Sequence, residues 1–235
     1  MRLWQRRGVD ARTEQWLGFA HELELEESGE LEGRLKDHLD LGPGALAPVY
    51  ALRRPGQPNL VLFDQQRERS GPTGVVRRLR TCVLVRTVTD TLPVSWRASA
   101  KRNSIVESLE ASRSGGVRLE LADDPDFDAR VSVYARDAAA VRAVLAPAVK
   151  SVLLTLLEPF DGSWQTAVVD PYHLPRNTSG SANLVVGARS LLLWAEPDEP
   201  LPFGKLLDLT TGMLSLYAAL NAAAEGASGD GASGG

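Results

Sequence analysis

The sequence predicts an α+β fold: a largely antiparallel sheet of about eight strands, packed with a kinked central helix and a C-terminal amphipathic helix. Three observations lead to this prediction. Short apolar or alternating segments recur from about residue 49 onwards, as in strands. Short connections join most of these segments, which favours antiparallel pairing. Strands and crossover helices do not alternate regularly, which argues against a doubly wound nucleotide-binding fold.

Length and composition indicate one globular domain. The chain has 235 residues, of which 43% are apolar and 24% charged, and both values are ordinary for globular proteins. We expect a single domain over residues 1–225, with an N-terminal helical segment at about 1–40. Residues 226–235 contain only Gly, Ala, Ser and Asp, so they have little apolar surface to bury and are predicted to be disordered.

The first predicted elements are a helix and several strands. Trp16, Phe19 and Leu23 recur at helical spacing within residues 11–24. The apolar runs at 60–63 and 82–85 have the length of strands, and the second is typical of a central strand that is covered on both faces. Further segments follow in chain order: a strand at 92–98, a helix at 103–111, strands at 117–121 and 127–133 joined by a turn at 122–126, a strand near 166–169, a hairpin around 187, and a helix at 203–223.

The central helix contains a proline that must interrupt it. Its apolar residues follow helical spacing: Val141, Val144, Leu145, Val149, Val152, Leu153 and Leu156. Asp137 is a candidate N-cap, because its carboxylate can accept from the free amides of the first turn. Pro147 cannot donate a backbone hydrogen bond. The helix therefore kinks near residues 143–147, or a second helix begins with Pro147 at its first position.

This region also carries a family resemblance. The matching residues are Asp126, Phe127, Val131, Val133, Tyr134, Asp137, Arg142, Leu145, Pro147, Leu153 and Leu154. On these positions the chain resembles a family of uncharacterised bacterial domains, found mostly in small membrane-anchored proteins of actinobacteria and proteobacteria. The similarity extends loosely over residues 75–220, but the chain departs from the pattern at Ala146 and lacks the family's preceding transmembrane helices. The resemblance implies a fold and no activity, cofactor or catalytic residue.

No catalytic, metal or cofactor site is predicted. His21, His38 and His173 are not spaced as metal ligands, and Cys82 lies in an apolar run that favours an inert buried thiol. A hydrolase built on His173, Asp170 and the acidic loop at 123–128 is a third hypothesis. The acidic residues at 123, 124, 126 and 128 have the spacing of an oxygen-ligand loop, but Pro125 breaks its register, which favours a turn with a solvated strand face.

Charge asymmetry is the feature that points to a partner. Residues 65–118 contain eleven basic and four acidic side chains, whereas residues 119–200 contain six basic and twelve acidic ones. The candidate binding residues are Arg77, Arg78, Arg80, Arg97, Lys101 and Arg102. This region either binds the phosphates of nucleic acid or an anionic membrane surface, or packs beside the acidic region and is neutralised by it.

The remaining features indicate compartment and general role. A net charge of −4 and a single cysteine favour a soluble protein of a reducing, cytoplasmic compartment, and no apolar run is long enough to cross a membrane. Residue usage suggests a GC-rich bacterial genome. The leading hypothesis is a non-catalytic domain that acts through protein–protein contact or homo-oligomerisation, using the basic sheet region and the C-terminal helix. The alternative is a phosphate-backbone binder that uses residues 65–118.

Overall fold

The structure, a computed structural model, describes most of the strands and helices of the chain. The described residues are 14–27, 45–54, 59–71, 74–86, 95–101, 116–158, 183–187, 189–195 and 201–229. The predicted elements at 103–111 and near 166–169 lie outside them.

Five helices and nine strands are assigned within the described residues. The helices are α1 (residues 14–22), α2 (Pro125–Arg130), α3 (Ala138–Val144), α4 (Pro147–Leu156) and α5 (Phe203–Gly229). The strands are β1 (Glu26–Glu27), β2 (Ala45–Arg54), β3 (Asn59–Gly71), β4 (Gly74–Arg86), β5 (Trp96–Ala100), β6 (Val117–Arg118), β7 (Val131–Ala135), β8 (Asn183–Gly187) and β9 (Ser190–Ala195).

All nine strands form one antiparallel sheet in the order β1-β2-β3-β4-β9-β8-β5-β7-β6. Strands β1 to β4 form one group, and β5, β7 and β6 form another. The β8–β9 hairpin lies between the groups, because β9 pairs with β4 and β8 pairs with β5. Together with the helices, this sheet confirms the predicted α+β class.

The main core lies between the helices and one face of the sheet. It includes Trp16 and Phe19 of α1, the buried residues of α3 and α4 (Val141, Val144, Val149, Leu153 and Leu156), and the stripe of α5 formed by Leu206, Leu209, Met213, Leu216 and Leu220. Each of these residues is at most 4% exposed. The predicted helices of this layer are therefore amphipathic, as their spacing indicated, and their apolar faces are already buried inside the molecule.

The central helix is broken at its proline. Helix α3 starts after Asp137, whose carboxylate accepts from the Ala140 amide at 3.0 Å. Helix α4 starts with Pro147 at its first position, and the axes of α3 and α4 differ by 92°. Of the two predicted outcomes, the structure has the new helix, because a proline at the first position removes only an amide that has no partner in the helix.

One predicted strand is wrong in part. Residues 127–130 were expected to begin a strand, but they belong to α2, and the strand β7 starts at Val131. Asp124 caps α2 by accepting from the Phe127 amide at 3.2 Å, and Pro125 occupies its first position. The alternation of apolar residues there reflects one buried side chain, Phe127, in a short helix. The preceding strand is also shorter than predicted, with only Val117–Arg118 assigned.

The C-terminal helix is longer than predicted. It continues to Gly229, so residues 226–229 are helical where the sequence predicted a disordered tail. The Ala-rich residues 222–224 propagate the helix well, because alanine has the highest intrinsic helix propensity. Residues 230–235 lie outside the described part of the chain.

Candidate functional site

The predicted basic residues lie on several different strands. Arg77 and Arg78 are on β4, opposite Glu68 and Arg67 of β3, and Arg80 is on the same strand. Arg97 is on β5 and Lys101 follows that strand directly, whereas Arg102 lies outside the described residues. Strands β4 and β5 are separated by the β8–β9 hairpin, so the five described residues do not follow one strand or one hairpin.

Arg80 is already engaged inside the protein. It is 6% exposed, and its guanidinium lies 3.8 Å from the centre of the Trp194 ring on β9. Stacking of this kind stabilises a partly desolvated cation by roughly 0.5–2 kcal/mol. Arg80 is therefore an internal structural residue and does not offer its charge to an external phosphate.

Lys101 is bound by the acidic region that follows it in the sequence. Its ammonium donates to the Asp128 carbonyl at 3.1 Å and lies 3.7 Å from the Asp128 carboxylate. The same carboxylate accepts from Arg118 Nη2 at 2.7 Å. At Lys101 the geometry therefore supports neutralisation by the acidic region, the second of the two predicted arrangements.

The acidic loop is organised by a lysine from α4. Lys150 Nζ lies 3.1 Å from Asp124 Oδ2 and 3.5 Å from Asp123 Oδ2, and it sits 5.8 Å from the centre of the Phe127 ring. Asp126 is exposed on the first turn of α2. Two of the four acidic residues, Asp123 and Asp124, thus pair with Lys150, and Asp128 pairs with Arg118. Among the described residues, no group of three or more His, Cys, Asp or Glu side chains could hold a metal ion.

These contacts shift two carboxyl pKa values. The hydrogen bond from Lys150 is the largest influence on Asp124 and, with the Phe127 amide, lowers its pKa below the usual 3.8. For Asp128, burial is the largest influence and raises the pKa. The Arg118 hydrogen bond and charge, with smaller contributions from Leu121 and Lys101, outweigh burial and leave the pKa below 3.8.

We expect Asp128 to contribute to acid unfolding. A carboxyl whose pKa is lower in the folded state stabilises the protein above pH 3.8, and this stability is lost as the pH falls through the folded pKa. Asp128→Asn should therefore lower the free energy of unfolding by about 1 kcal/mol at pH 7, with the difference shrinking below about pH 4. Urea denaturation from pH 7 to pH 3 measures this. The control is Asp126→Asn on the same helix, and equal pH profiles for the two variants would contradict the assignment.

The face of the sheet that points away from the described helices is here called the outer face. Strand pairing aligns its side chains in rows. One row contains Val61, Leu84, Leu192, Val185, Arg97, Tyr134 and Arg118. The next contains Phe63, Cys82, Trp194, Asn183, Ser99 and Ser132. Each row runs from apolar residues at β3 and β4 to polar residues at β5 and β7.

Burial divides this outer face into three parts. The apolar residues of these two rows on β3 and β4, Val61, Phe63, Cys82 and Leu84, are at most 2% exposed and form a second apolar cluster. On β7, Ser132 and Tyr134 are also buried. Between these flanks, the outer side chains of β9 and β8 are half-buried and partly reach solvent. A strip of half-exposed apolar side chains thus crosses the middle of the outer face: Leu192, Trp194 and Val185.

Three arginines border this apolar strip. Arg97 is half-buried in the same row as Val185, Arg86 is half-buried at the end of β4 opposite Ser190, and Arg189 is exposed in the turn between β8 and β9. Within the described part of the chain, none of the three side chains has an ion pair or hydrogen-bonding partner. No Asp or Glu occupies the outer face of β5, β7, β8, β9 or residues 80–86 of β4. Of the three predicted site residues whose side chains the structure describes, Arg80, Arg97 and Lys101, only Arg97 has no such partner among the described residues.

Sequence reasoning missed the apolar strip and Arg189. The pattern of residues 183–194 predicts a hairpin but does not identify which of its side chains point away from the core. The signal was present in β9, where Leu191 and Leu193 face the core while Leu192 and Trp194 alternate with them on the other face. A strand that is apolar on both faces is normally covered by other groups on both of them, so this alternation marks a second apolar surface besides the core face.

The other candidate residues have structural roles or lie elsewhere. Cys82 is 0% exposed, as the sequence predicted for an inert buried thiol. His21 is exposed on α1, while His38, His173 and Asp170 are outside the described residues. Within those residues, no single helix is long and apolar enough to span a bilayer. Helices α3 and α4 are long and apolar enough only when they are counted together, and their axes are bent by 92°.

A buried aspartate that is not among the predicted site residues connects α1 to the sheet by a hydrogen bond. Asp64 on β3 is 1% exposed and accepts from Trp16 Nε1 at 2.7 Å and from Thr81 Oγ1 at 2.9 Å. Phe19 packs beside this contact, with its ring centre 4.5 Å from that of Phe203 at the start of α5. A buried charge requires such donors, so Asp64 serves to position α1.

Comparisons with known proteins do not identify a family or a function for this chain. No family model, curated protein or solved structure matches the chain. The resemblance to the uncharacterised bacterial domains therefore stays a prediction.

Proposed function

We propose that this chain is a non-catalytic cytoplasmic domain that binds another protein through the outer face of its sheet. The observation that carries the proposal is the half-exposed apolar strip of Leu192, Trp194 and Val185 beside Arg97. Aromatic residues and arginine are enriched in the centres of protein interfaces, where lysine and acidic residues are depleted. The single cysteine, which is buried, supports a reducing compartment.

The C-terminal helix is a weaker contact surface than the sequence suggested. The apolar stripe of α5 is buried in the core, and its half-buried apolar residues, Leu207, Leu214 and Tyr217, pack against that core. The fully exposed residues of α5 are small or polar: Gly204, Asp208, Thr211, Ser215, Ala218, Ala222, Glu225 and Gly226. Such a surface offers little area for a partner to desolvate. The outer face, in contrast, combines apolar area with an available charge.

Site-specific photo-cross-linking tests the proposal. A benzophenone amino acid at Val185 should give a reproducible protein adduct in native cells, while the same group at the exposed Thr155 of α4 should not. Mass spectrometry of the adduct identifies the partner, and an adduct of twice the chain mass identifies a second copy. Equal labelling from both positions, or no adduct from Val185, would refute the proposal.

The second candidate function is binding to phosphate groups of nucleic acid or an anionic membrane. Arg86, Arg97 and Arg189 favour it, because they lie in one part of the sheet without acidic neighbours on the outer face. Phosphate binding weakens steeply with salt. Gel shifts with short duplexes and sedimentation with phosphatidylglycerol vesicles at low salt test it, and Arg97→Gln should weaken either interaction. Full retention of binding by that variant would exclude this site.

A further inference from the structure

We infer that the outer face binds an acidic polypeptide segment in extended conformation, in which an apolar side chain lies midway between two carboxylates. The inference rests on the proposed protein-binding function and specifies the chemistry of the partner. It is carried by the placement of Arg97, Val185, Leu192 and Arg86 across four adjacent strands.

The spacing of these residues defines the pattern. Arg97 lies on β5 and Arg86 on β4, so three strand spacings of about 4.8 Å, or about 14 Å in total, separate them across the sheet. In an extended segment, side chains two residues apart point to the same side and lie about 6.7 Å apart. Arg86 also lies two residues along β4 from Leu84, the residue in the row of Arg97, so the Cα positions of the two arginines are about 16 Å apart. Carboxylates four residues apart in the bound segment are about 13 Å apart, and the long arginine side chains cover the difference.

The middle of such a segment lies over the apolar strip. Val185 and Leu192 face each other across β8 and β9, between the arginine positions. In the bound segment, the apolar side chain halfway between the two carboxylates would cover Val185 and Leu192 and remove these two side chains from water. Arg189, in the adjoining turn, adds a third positive charge close to Arg86, because its neighbour Ser190 pairs with Arg86.

Electrostatics and surface chemistry favour a polypeptide over nucleic acid. The outer side chains of these strands include no carboxylate that would compete for the arginines. Leu192 and Val185 offer no hydrogen bonds to sugars or phosphates. The Trp194 ring already has Arg80 stacked on it at 3.8 Å, which leaves less of its surface for base stacking, the usual source of affinity for single strands.

Methyl-labelled NMR of the full chain tests the inference. The probe is a synthetic peptide with the core Glu-Ser-Leu-Ser-Glu, and the readout is the shift of the Val185 and Leu192 methyl resonances. We expect saturable shifts that weaken from 0.1 M to 1 M salt. Matched peptides with Gln for both Glu, or Ser for Leu, should bind at least about tenfold more weakly.

Protein variants locate the effect. Arg97→Gln and Arg86→Gln should each weaken binding by about tenfold, and Arg130→Gln, an exposed arginine at the opposite end of β7, should not change it. Methyl resonances that stay still, or equal binding of the Gln peptide, would overturn the inference. Stronger shifts with an oligonucleotide or with anionic vesicles would overturn it in favour of phosphate. A cross-linked protein at Val185 together with no binding of the acidic peptide rejects this inference and leaves the proposed function intact.

Discussion

Replacing Asp64 by alanine is expected to lower the free energy of unfolding by about 3 kcal/mol or more. The substitution leaves the Trp16 Nε1–H and the Thr81 hydroxyl buried without the acceptor that each now has at 2.7 and 2.9 Å. Both groups lose their hydrogen bond and cannot regain water without opening the contact between α1 and the sheet. Urea denaturation followed by circular dichroism measures the change.

Two further variants separate this effect from the general loss of a carboxylate. Asp137→Ala removes an exposed N-cap that holds the Ala140 amide, and should cost about 1 kcal/mol. Trp16→Phe keeps an aromatic ring but deletes one hydrogen-bond donor. Its free energy of unfolding should therefore fall by an amount between those of Asp64→Ala and Asp137→Ala. An Asp64→Ala variant no less stable than Asp137→Ala would show that the buried contact contributes little.

Gly212→Ala is expected to destabilise the protein, although alanine is the better helix former. A Cβ at this position of α5 would lie 2.6 Å from Leu156 Cδ2 and 3.1 Å from Leu156 Cγ. Leu156 is 2% exposed, so its side chain has little room to move. Overpacking of this kind costs about 1–3 kcal/mol, which exceeds the gain in helix propensity of up to about 1 kcal/mol. Thermal and urea unfolding give the net value.

A double-mutant cycle tests the cause. Leu156→Ala alone should cost about 2–5 kcal/mol through the cavity it leaves. In that background Gly212→Ala should become stabilising, because the clash is gone and the propensity gain remains. Gly226→Ala on the same helix is the control, since no atom lies within 4 Å of its added Cβ. If Gly212→Ala stabilises the wild-type chain as Gly226→Ala does, the close packing of α5 on α4 does not prevent a larger residue at position 212, and the prediction is wrong.

The parts of the fold that local chemistry determines could be predicted. The complete burial of Cys82 and its strand neighbours followed from an apolar run with charged ends. The break at Pro147 followed from its missing amide. The error at Phe127 arose because a two-residue alternation can also occur by chance in one turn of helix. The local signals for that helix, an aspartate followed by proline, are present at Asp124 and Pro125, and they determine the structure there in place of the alternation.

The binding surface depended on information that no local pattern contains. Grouping the basic residues by sequence assumed that neighbours in the chain share a surface. Whether a basic side chain is available to a partner depends instead on residues that are distant in the sequence. Trp194 stacks with Arg80, and Asp128 binds Lys101. The strand order, which brings β9 and β8 between β4 and β5, arises from long-range pairing and is not specified by any single segment.

The position of the β8–β9 hairpin has a consequence for the order in which the molecule is completed. Each strand group pairs internally through segments made early, but their shared boundary needs residues 183–195, which leave the ribosome late. Until then β4 and β5 keep bare edges, and pairings that are remote in sequence form slowly. Leu192, Val185 and Arg97 come together only when the hairpin pairs with both groups. A protein that recognises them would therefore distinguish chains in which the hairpin has joined the two groups from chains in which it has not.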